Sequence, residues 1–118
     1  MIGRYEELKK EIREHMRGGE GSVEIIHFTD RAGLYDNGRM LARIILHPGC
    51  GVGLHGHENE EEIFIVEKGT AEYNDDGNIA TVTEGDVTIC ASGQSHAIRN
   101  VSEEDCVLTA LILDKKNQ

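Results

Sequence analysis

Aromatic residues are scarce in this chain of 118 residues, which has no tryptophan, two phenylalanines and three tyrosines. Proteins that bind single-stranded nucleic acid stack bases on exposed aromatic rings, and this composition offers little for such a surface. Basic residues are also few, because 22 acidic residues face 12 basic ones and give a formal net charge of −10. That charge repels phosphate backbones and anionic lipids. We therefore expect neither a nucleic acid nor a membrane partner.

Cysteines and long apolar runs are equally limited. The three cysteines, Cys50, Cys90 and Cys106, are odd in number and widely spaced, so they predict neither a disulfide framework nor a structural zinc site. No segment approaches the roughly 20 apolar residues that span a bilayer. The first 17 residues are rich in charge, unlike the apolar stretch of a secretion signal. We expect a cytoplasmic protein.

The length matches one ordinary domain, and we divide it into two parts. Residues 1–21 are expected to form an amphipathic helix and a linker, and residues 22–118 a β-barrel domain. The helix is predicted over residues 4–17, before Gly18 and Gly19, which would end it. Its apolar positions recur at three- and four-residue steps: Tyr5, Leu8, Ile12 and Met16.

From residue 22 onward, short runs rich in Val, Ile and Thr alternate with Gly, Asn and Asp, a pattern that predicts strands and turns. The sequence from Asp75 to Asn78 predicts a tight hairpin turn. So many short strands favour an all-β sandwich or barrel. The predicted strands cover residues 23–28, 40–46, 62–67, 71–74, 79–83, 86–90, 95–101 and 106–113.

The last predicted strand is apolar at nearly every position from residue 107 to residue 113, which indicates burial on both faces. Two explanations remain open. Its outer face lines a homodimer contact, or the N-terminal helix covers it.

Three histidines and one glutamate are the candidate metal ligands: His55, His57, Glu62 and His96. Alternate residues of a strand point to one face, so His55 and His57 aim together, and the next strand can return Glu62 beside them. Three imidazoles and a carboxylate suit a first-row divalent ion such as manganese, iron, nickel, copper or zinc. Such a site keeps two positions open and carries a charge of about +1, which favours a chelating anion.

The spacing of these residues resembles the cupin superfamily. The first cupin motif is matched by Gly49, His55, His57, Glu62 and Gly69, and the second by Gly85, Gly93, His96 and Asn100. Ala91 stands where the second motif usually has proline, so nine of ten motif positions agree. The resemblance implies a single cupin-type β-barrel (a jelly roll, or double-stranded β-helix), the four metal ligands and a homodimer.

The carboxylate ligand has an alternative, because Glu61 also satisfies the spacing from His57. The six-residue gap to Gly69 favours Glu62. Glu62 also shares a strand face with Phe64 and Val66, whereas Glu61 shares one with two isoleucines.

The resemblance implies a metal-dependent enzyme of the dioxygenase, decarboxylase, isomerase or lyase type, acting by Lewis-acid or dioxygen chemistry. Its substrate would be small and oxygen-rich: a hydroxy or keto acid, a dicarboxylate, a sugar derivative or a catechol-like ring. The alternative is a non-catalytic small-molecule-binding or sensor cupin, since fold alone does not decide function. Arg43 and Tyr73 are candidate substrate-binding residues, and no dedicated general base is visible.

Overall fold

Two antiparallel β-sheets contain nearly all of the regular structure in the computed structural model, which describes residues 1–116. The last two residues of the expected barrel domain, 117 and 118, lie outside the described residues. None of the helices within residues 1–116 is long and apolar enough to cross a membrane. The strands are β1 (Lys9–Glu14), β2 (Ser22–Thr29), β3 (Gly38–Leu46), β4 (Gly51–Gly56), β5 (Glu60–Lys68), β6 (Thr70–Asp75), β7 (Asn78–Thr83), β8 (Val87–Cys90), β9 (Ser95–Arg99) and β10 (Cys106–Asp114).

The two sheets pack as a jelly roll, which confirms the expected all-β fold. One sheet has six strands in the order β1-β2-β3-β10-β5-β8, and the other has four in the order β4-β9-β6-β7. Each of the eight predicted strands is present, with bounds that differ by a few residues, whereas β1 and β4 were not predicted. The hairpin turn between β6 and β7 is also confirmed. Its two connecting residues, Asp76 and Gly77, both have positive φ, as a tight two-residue hairpin requires.

The core lies between the sheets and follows the period of two expected for strands. In β3 and β10, every second residue is buried and its neighbours are partly exposed. Burying an aliphatic or aromatic side chain contributes about 1.5–3 kcal/mol, so this shared layer dominates the stability. The largest buried side chains include Phe64, Ile25, Ile44, Leu46, Ile98 and Leu108.

The prediction of an N-terminal helix is wrong. Residues Tyr5–Glu7 form a single 3₁₀ turn, and β1 then pairs antiparallel with β2 at the edge of the six-stranded sheet. Apolar residues four apart share a face in a helix and also in a strand, because four is a multiple of two, so the stripe did not discriminate between them. Pairing with β2 gives the backbone N–H and C=O groups of β1 hydrogen-bond partners. A short isolated helix would be only marginally stable in water. β1 belongs to the same sheet as β2, which begins at Ser22, so the division of the chain between residues 21 and 22 stays a prediction.

The outer face of β10 is therefore not covered by a helix. β10 lies at the centre of the six-stranded sheet between β3 and β5, and its outward residues are only partly buried. Of the two explanations for its apolar sequence, cover by a helix is excluded, and the homodimer contact stays a prediction.

Candidate metal centre

The four candidate ligands come from both sheets and meet between them. His55 lies on β4 directly opposite His96 on β9, so pairing of these strands brings the two rings together. His57 follows the end of β4, and Glu62 projects inward from β5 in the other sheet. All four side chains are buried or nearly so, and His96 is only 1% exposed.

Their donor atoms converge on one point. Oε1 of Glu62 lies 3.1 Å from Nε2 of His57 and 3.0 Å from Nε2 of His96. Nε2 of His96 lies 3.2 Å from Nε2 of both His55 and His57, and all four donor atoms lie within 4.8 Å of one another. Around an ion about 2.1 Å from each donor, donors at right angles are about 3.0 Å apart. The cluster therefore fits a metal ion of that size.

The far nitrogens of His55 and His57 are held by acceptors. Nδ1 of His55 donates to the carbonyl oxygen of Gly53 over 2.7 Å, and Nδ1 of His57 donates to the Glu60 carboxylate over 3.0 Å. These oxygens only accept, so Nδ1 carries the proton in each ring and Nε2 of the neutral ring offers a lone pair to the cluster. Two hydrogen bonds of 2.8 Å from Arg39 hold Glu60 in turn.

The ring of His96 is positioned by two aromatic neighbours. Its Nδ1 lies 2.8 Å from the hydroxyl oxygen of Tyr73, and its plane stacks on Phe64 with ring centroids 5.1 Å apart. Both contacts restrict rotation of the ring. The Nε2 atom of His96 therefore stays directed at the cluster.

Burial and hydrogen bonding compete in setting the charges of the cluster. Burial raises the pKa of Glu62, but hydrogen bonds from His55, His57 and His96 outweigh it and hold that pKa far below its usual range. The hydrogen bond to Glu62 is the main cause that raises the pKa of His57. Arg39 is the main cause that lowers the pKa of Glu60 to about 2. Both carboxylates are therefore ionised at neutral pH.

A cavity of about 230 Å³ opens onto the cluster. His55, His57 and Glu62 contribute to its wall, and apolar side chains such as Ile44 and Phe64 form another part of it. Its other residues include four basic side chains, three of them from the N-terminal segment that was expected to be a helix: Lys9, Arg13, Arg17 and Arg39.

The two candidate substrate-binding residues, Arg43 and Tyr73, contact other side chains of the protein. Arg43 points away from the interior, and its guanidinium lies over the rings of Tyr5 and Phe28, 5.5 and 5.6 Å from their centroids. On β3 it alternates with the buried Ala42 and Ile44, and it is not among the residues that line the cavity. Tyr73 is buried against His96 and is not among the cavity residues either. The expected contact of Arg43 and Tyr73 with a substrate stays a prediction, and neither residue lines this cavity.

The choice between the two glutamates is decided by the pleat of β5. Glu62 points into the cluster and is 5% exposed, whereas Glu61 takes the opposite face of the strand. The supporting residues Gly53, Glu60 and Arg39 were not predicted. The position of Glu60 three residues after His57 was a weak signal that its carboxylate could contact that ring. Arg39 gave no such signal, because it lies 21 positions before Glu60 on another strand.

Comparisons with known proteins agree with this geometry. The family model of the cupin domain matches residues 42–112, more than half of the chain. An oxalate-binding protein of Thermotoga maritima is 37% identical over 113 residues, which cover 96% of this chain and 93% of the relative.

Solved structures extend the comparison to the fold. The crystal structure of a predicted oxalate decarboxylase from Thermotoga maritima matches with a TM-score of 0.92 and 37% identity, covering 97% of this chain and 99% of that one. A Klebsiella pneumoniae protein with a double-stranded β-helix domain matches with a TM-score of 0.62 and 24% identity, covering 70% and 72%. With both cupin motifs, the two-sheet barrel and the family match in agreement, the chain belongs to the cupin family.

Proposed function

We propose that the chain binds one divalent transition metal ion through His55, His57, Glu62 and His96, the ion being manganese, iron, nickel, copper or zinc. The convergence of three imidazole nitrogens and one carboxylate oxygen within 4.8 Å carries this proposal. Imidazole donors suit first-row transition metals, whereas calcium and magnesium prefer oxygen. Four protein donors leave two positions of a six-coordinate ion for a ligand.

The ligand proposed for those positions is a small dicarboxylate of the oxalate class. The relative that is 37% identical is named an oxalate-binding protein, which supports this choice. A cavity of about 230 Å³ suits a ligand of few atoms, because the pockets that hold drug-sized ligands measure about 300–1,000 Å³. Its basic side chains Lys9, Arg13 and Arg17 favour an anion, although the whole chain is strongly acidic.

The ion would supply Lewis-acid polarisation of the ligand oxygens when bound. The chain's own residues prepare the site for it. Gly53 and Glu60 accept the Nδ1 protons of His55 and His57, so in the neutral rings Nε2 is the atom that offers a lone pair to the ion, and Glu62 provides the negative charge. The apolar side chains of Ile44 and Phe64 in the cavity wall limit the access of water, which strengthens electrostatic attraction to the ligand.

Two functions use a site of this kind. In the first, a metal-dependent enzyme converts the dicarboxylate, and a structural relative described as a predicted oxalate decarboxylase supports that reading. In the second, a non-catalytic cupin binds the dicarboxylate without changing it, as the name of the oxalate-binding relative suggests. Both functions require the same four metal ligands, but only the enzyme converts the dicarboxylate into a product.

Elemental analysis of the purified protein, prepared without a nickel column, tests the metal site. We expect about one transition metal ion per chain in the parent and almost none in a His55→Ala/His57→Ala variant, because two of the four ligands are then missing. His47→Gln is the matched control, since His47 lies outside the cluster and bonds to Glu24 and Asp105. Absence of metal from the parent after reconstitution would contradict the proposal.

The same preparations separate the two functions. An enzyme of the decarboxylase type releases carbon dioxide and formate from oxalate, and this release must disappear in the double variant. A binding protein shows oxalate-induced thermal stabilisation of the parent, with no product formed.

A homodimer is the second part of the proposal. The outer face of the six-stranded sheet carries a row of apolar residues that are paired across neighbouring strands: Ile89, Ile63, Leu111 and Leu41. On the same face, Nε of Arg43 is buried with no hydrogen-bond partner within residues 1–116. A second copy of the chain would cover the apolar row and provide acceptors for that nitrogen.

A further inference from the structure

A second pair of titratable side chains lines the cavity that opens onto the cluster. Glu11 lies on β1 and His27 on the neighbouring β2, and Nε2 of His27 is 2.6 Å from Oε1 of Glu11. The side chain of Glu11 is 27% exposed and that of His27 is 20% exposed, so both are partly buried. Neither residue belongs to the four candidate ligands, and the pair therefore forms a separate group in the cavity wall.

The carboxylate of Glu11 orients the ring of His27. Two nitrogens of Arg13 each donate to that carboxylate over 3.3 Å, and the hydrogen bond with His27 is the main cause that lowers the pKa of Glu11. An ionised carboxylate only accepts hydrogen bonds, so Nε2 of His27 carries a proton. Within residues 1–116, the side-chain hydrogen bonds of His27 involve Nε2 alone. Nδ1 is therefore available to a ligand.

Charges of both signs face His27. Lys9 pairs with His27 in register across β1 and β2. Lys9, His27 and Arg39 line the cavity at the cluster and also a neighbouring cavity of about 660 Å³. An anion bound beside an imidazole favours the protonated form of the ring over the neutral form. Besides Glu11, the other residues of the two cavities that carry titratable or charged groups are Met1 with its terminal amine, Glu7, Arg13, Arg17, Asp30, His55, His57 and Glu62.

We propose that His27 is a second anion-binding group of the cavity, which gains one proton when a dicarboxylate enters and donates a hydrogen bond to it through Nδ1. Glu11 acts as a positioning residue. The inference rests on the proposed function, because the ligand is the dicarboxylate held at the metal. One proton passes from a buffer acid to the imidazole, and no other bond forms or breaks.

Calorimetric titration of the Mn²⁺-loaded protein with oxalate tests this role. Titrations at pH 7 in two buffers of different ionisation enthalpy give the number of protons taken up on binding. We expect the parent to take up more protons than His27→Gln when oxalate binds. The difference should be no larger than one proton per site, because one imidazole is removed. A charge-assisted hydrogen bond is also lost, so His27→Gln should bind oxalate roughly tenfold more weakly.

A second variant separates positioning from folding. Glu11→Gln keeps His27 but removes the ionised acceptor, so proton uptake should fall in the same direction as in His27→Gln. Glu11 lies on an edge strand, where a change of side chain disturbs few neighbours. His47→Gln removes a histidine outside this cavity and should leave both proton uptake and affinity as in the parent.

The outcomes distinguish the two proposals. Tight oxalate binding with equal proton uptake in the parent and in both variants would overturn the role of His27 and leave the metal site standing. Loss of Mn²⁺ from His27→Gln would also overturn it, because His27 would then act on the ion. Failure of the Mn²⁺-loaded parent to bind oxalate would contradict the proposed function, and the inference with it.

Discussion

At the scale of single residues, the orientation of the histidines depends on side chains and carbonyl groups behind them. Gly53, Glu60 and Tyr73 each contact the nitrogen that faces away from the cluster. Such outer contacts hold each ring and set which nitrogen carries the proton, and their removal commonly weakens metal binding by 10–100-fold. Glu60 is the residue of this group whose charge can be tested directly.

Glu60 should make the stability of the metal-free protein depend on pH in acid. Its pKa is about 2 in the folded chain against an ordinary value of 4.5, mainly because of Arg39. The Glu60 carboxyl group is therefore harder to protonate in the folded chain than in the unfolded chain. Its ionised form stabilises the folded state fully above about pH 4.5, and this stabilisation is lost as pH falls towards 2. The contribution is at most about 3 kcal/mol. We expect Glu60→Gln to lower the free energy of unfolding at pH 6 more than at pH 2.5, as measured with urea.

Glu61→Gln is the matched control for that experiment. It removes the same charge from the neighbouring position, but Glu61 points to the opposite face of β5. An equal pH dependence of both variants would mean that the effect comes from net charge and not from the contacts of Glu60.

At the scale of elements, β4 supports the connection between β1 and β2. A Cβ atom placed on Gly53 would lie 2.1 Å from the carbonyl oxygen of Arg17 and 2.8 Å from the amide nitrogen of Gly19. Backbone atoms cannot move aside as the end of a side chain does. The absence of a side chain at Gly53 therefore permits residues 16–18 to pack at the edge of the cavity.

Gly53→Ala should consequently displace this connection. We expect a loss of about 1–3 kcal/mol in the free energy of unfolding, by steric overlap, as measured by urea or thermal unfolding. Gly56→Ala in the same strand is the control, because its Cβ would meet only the Gln94 carbonyl oxygen at an ordinary 3.5 Å. If the two variants were equally stable, the connection would not depend on close contact with β4.

At the scale of the whole molecule, one group of neighbouring exposed apolar residues lies on the six-stranded sheet. Val87 and Ile89 on β8 are 57% and 54% exposed, and Ile65 on β5 lies beside them. Contiguous apolar patches of this kind commonly mark protein interfaces.

Sedimentation velocity tests whether this face joins two copies. We expect the parent to sediment as a dimer at micromolar concentration and Ile89→Asp as a monomer, because a charge in an apolar interface loses its hydration without a partner. Ile79→Asp is the control, since Ile79 is equally exposed but lies on β7 in the other sheet. A monomeric parent would contradict the homodimer.

The sequence alone determined the local features of the molecule. Alternation of apolar and polar residues predicted the central strands, and Asp76 and Gly77 predicted the hairpin turn. Motif spacing predicted which four residues meet, because spacing along paired strands fixes which side chains share a face.

Only the tertiary structure decided the rest. The N-terminal stripe fitted a helix and a strand equally, and pairing with β2 selected the strand. The same pairing brought Glu11 beside His27, sixteen positions away in the sequence, and gave the cavity its second titratable pair. Alternation along β3 places Arg43 opposite Ala42 and Ile44, but which of the two faces meets the core was decided by the packing of the sheets. A local pattern states which residues share a face of a strand, whereas contacts between strands distant in sequence depend on how the sheets close.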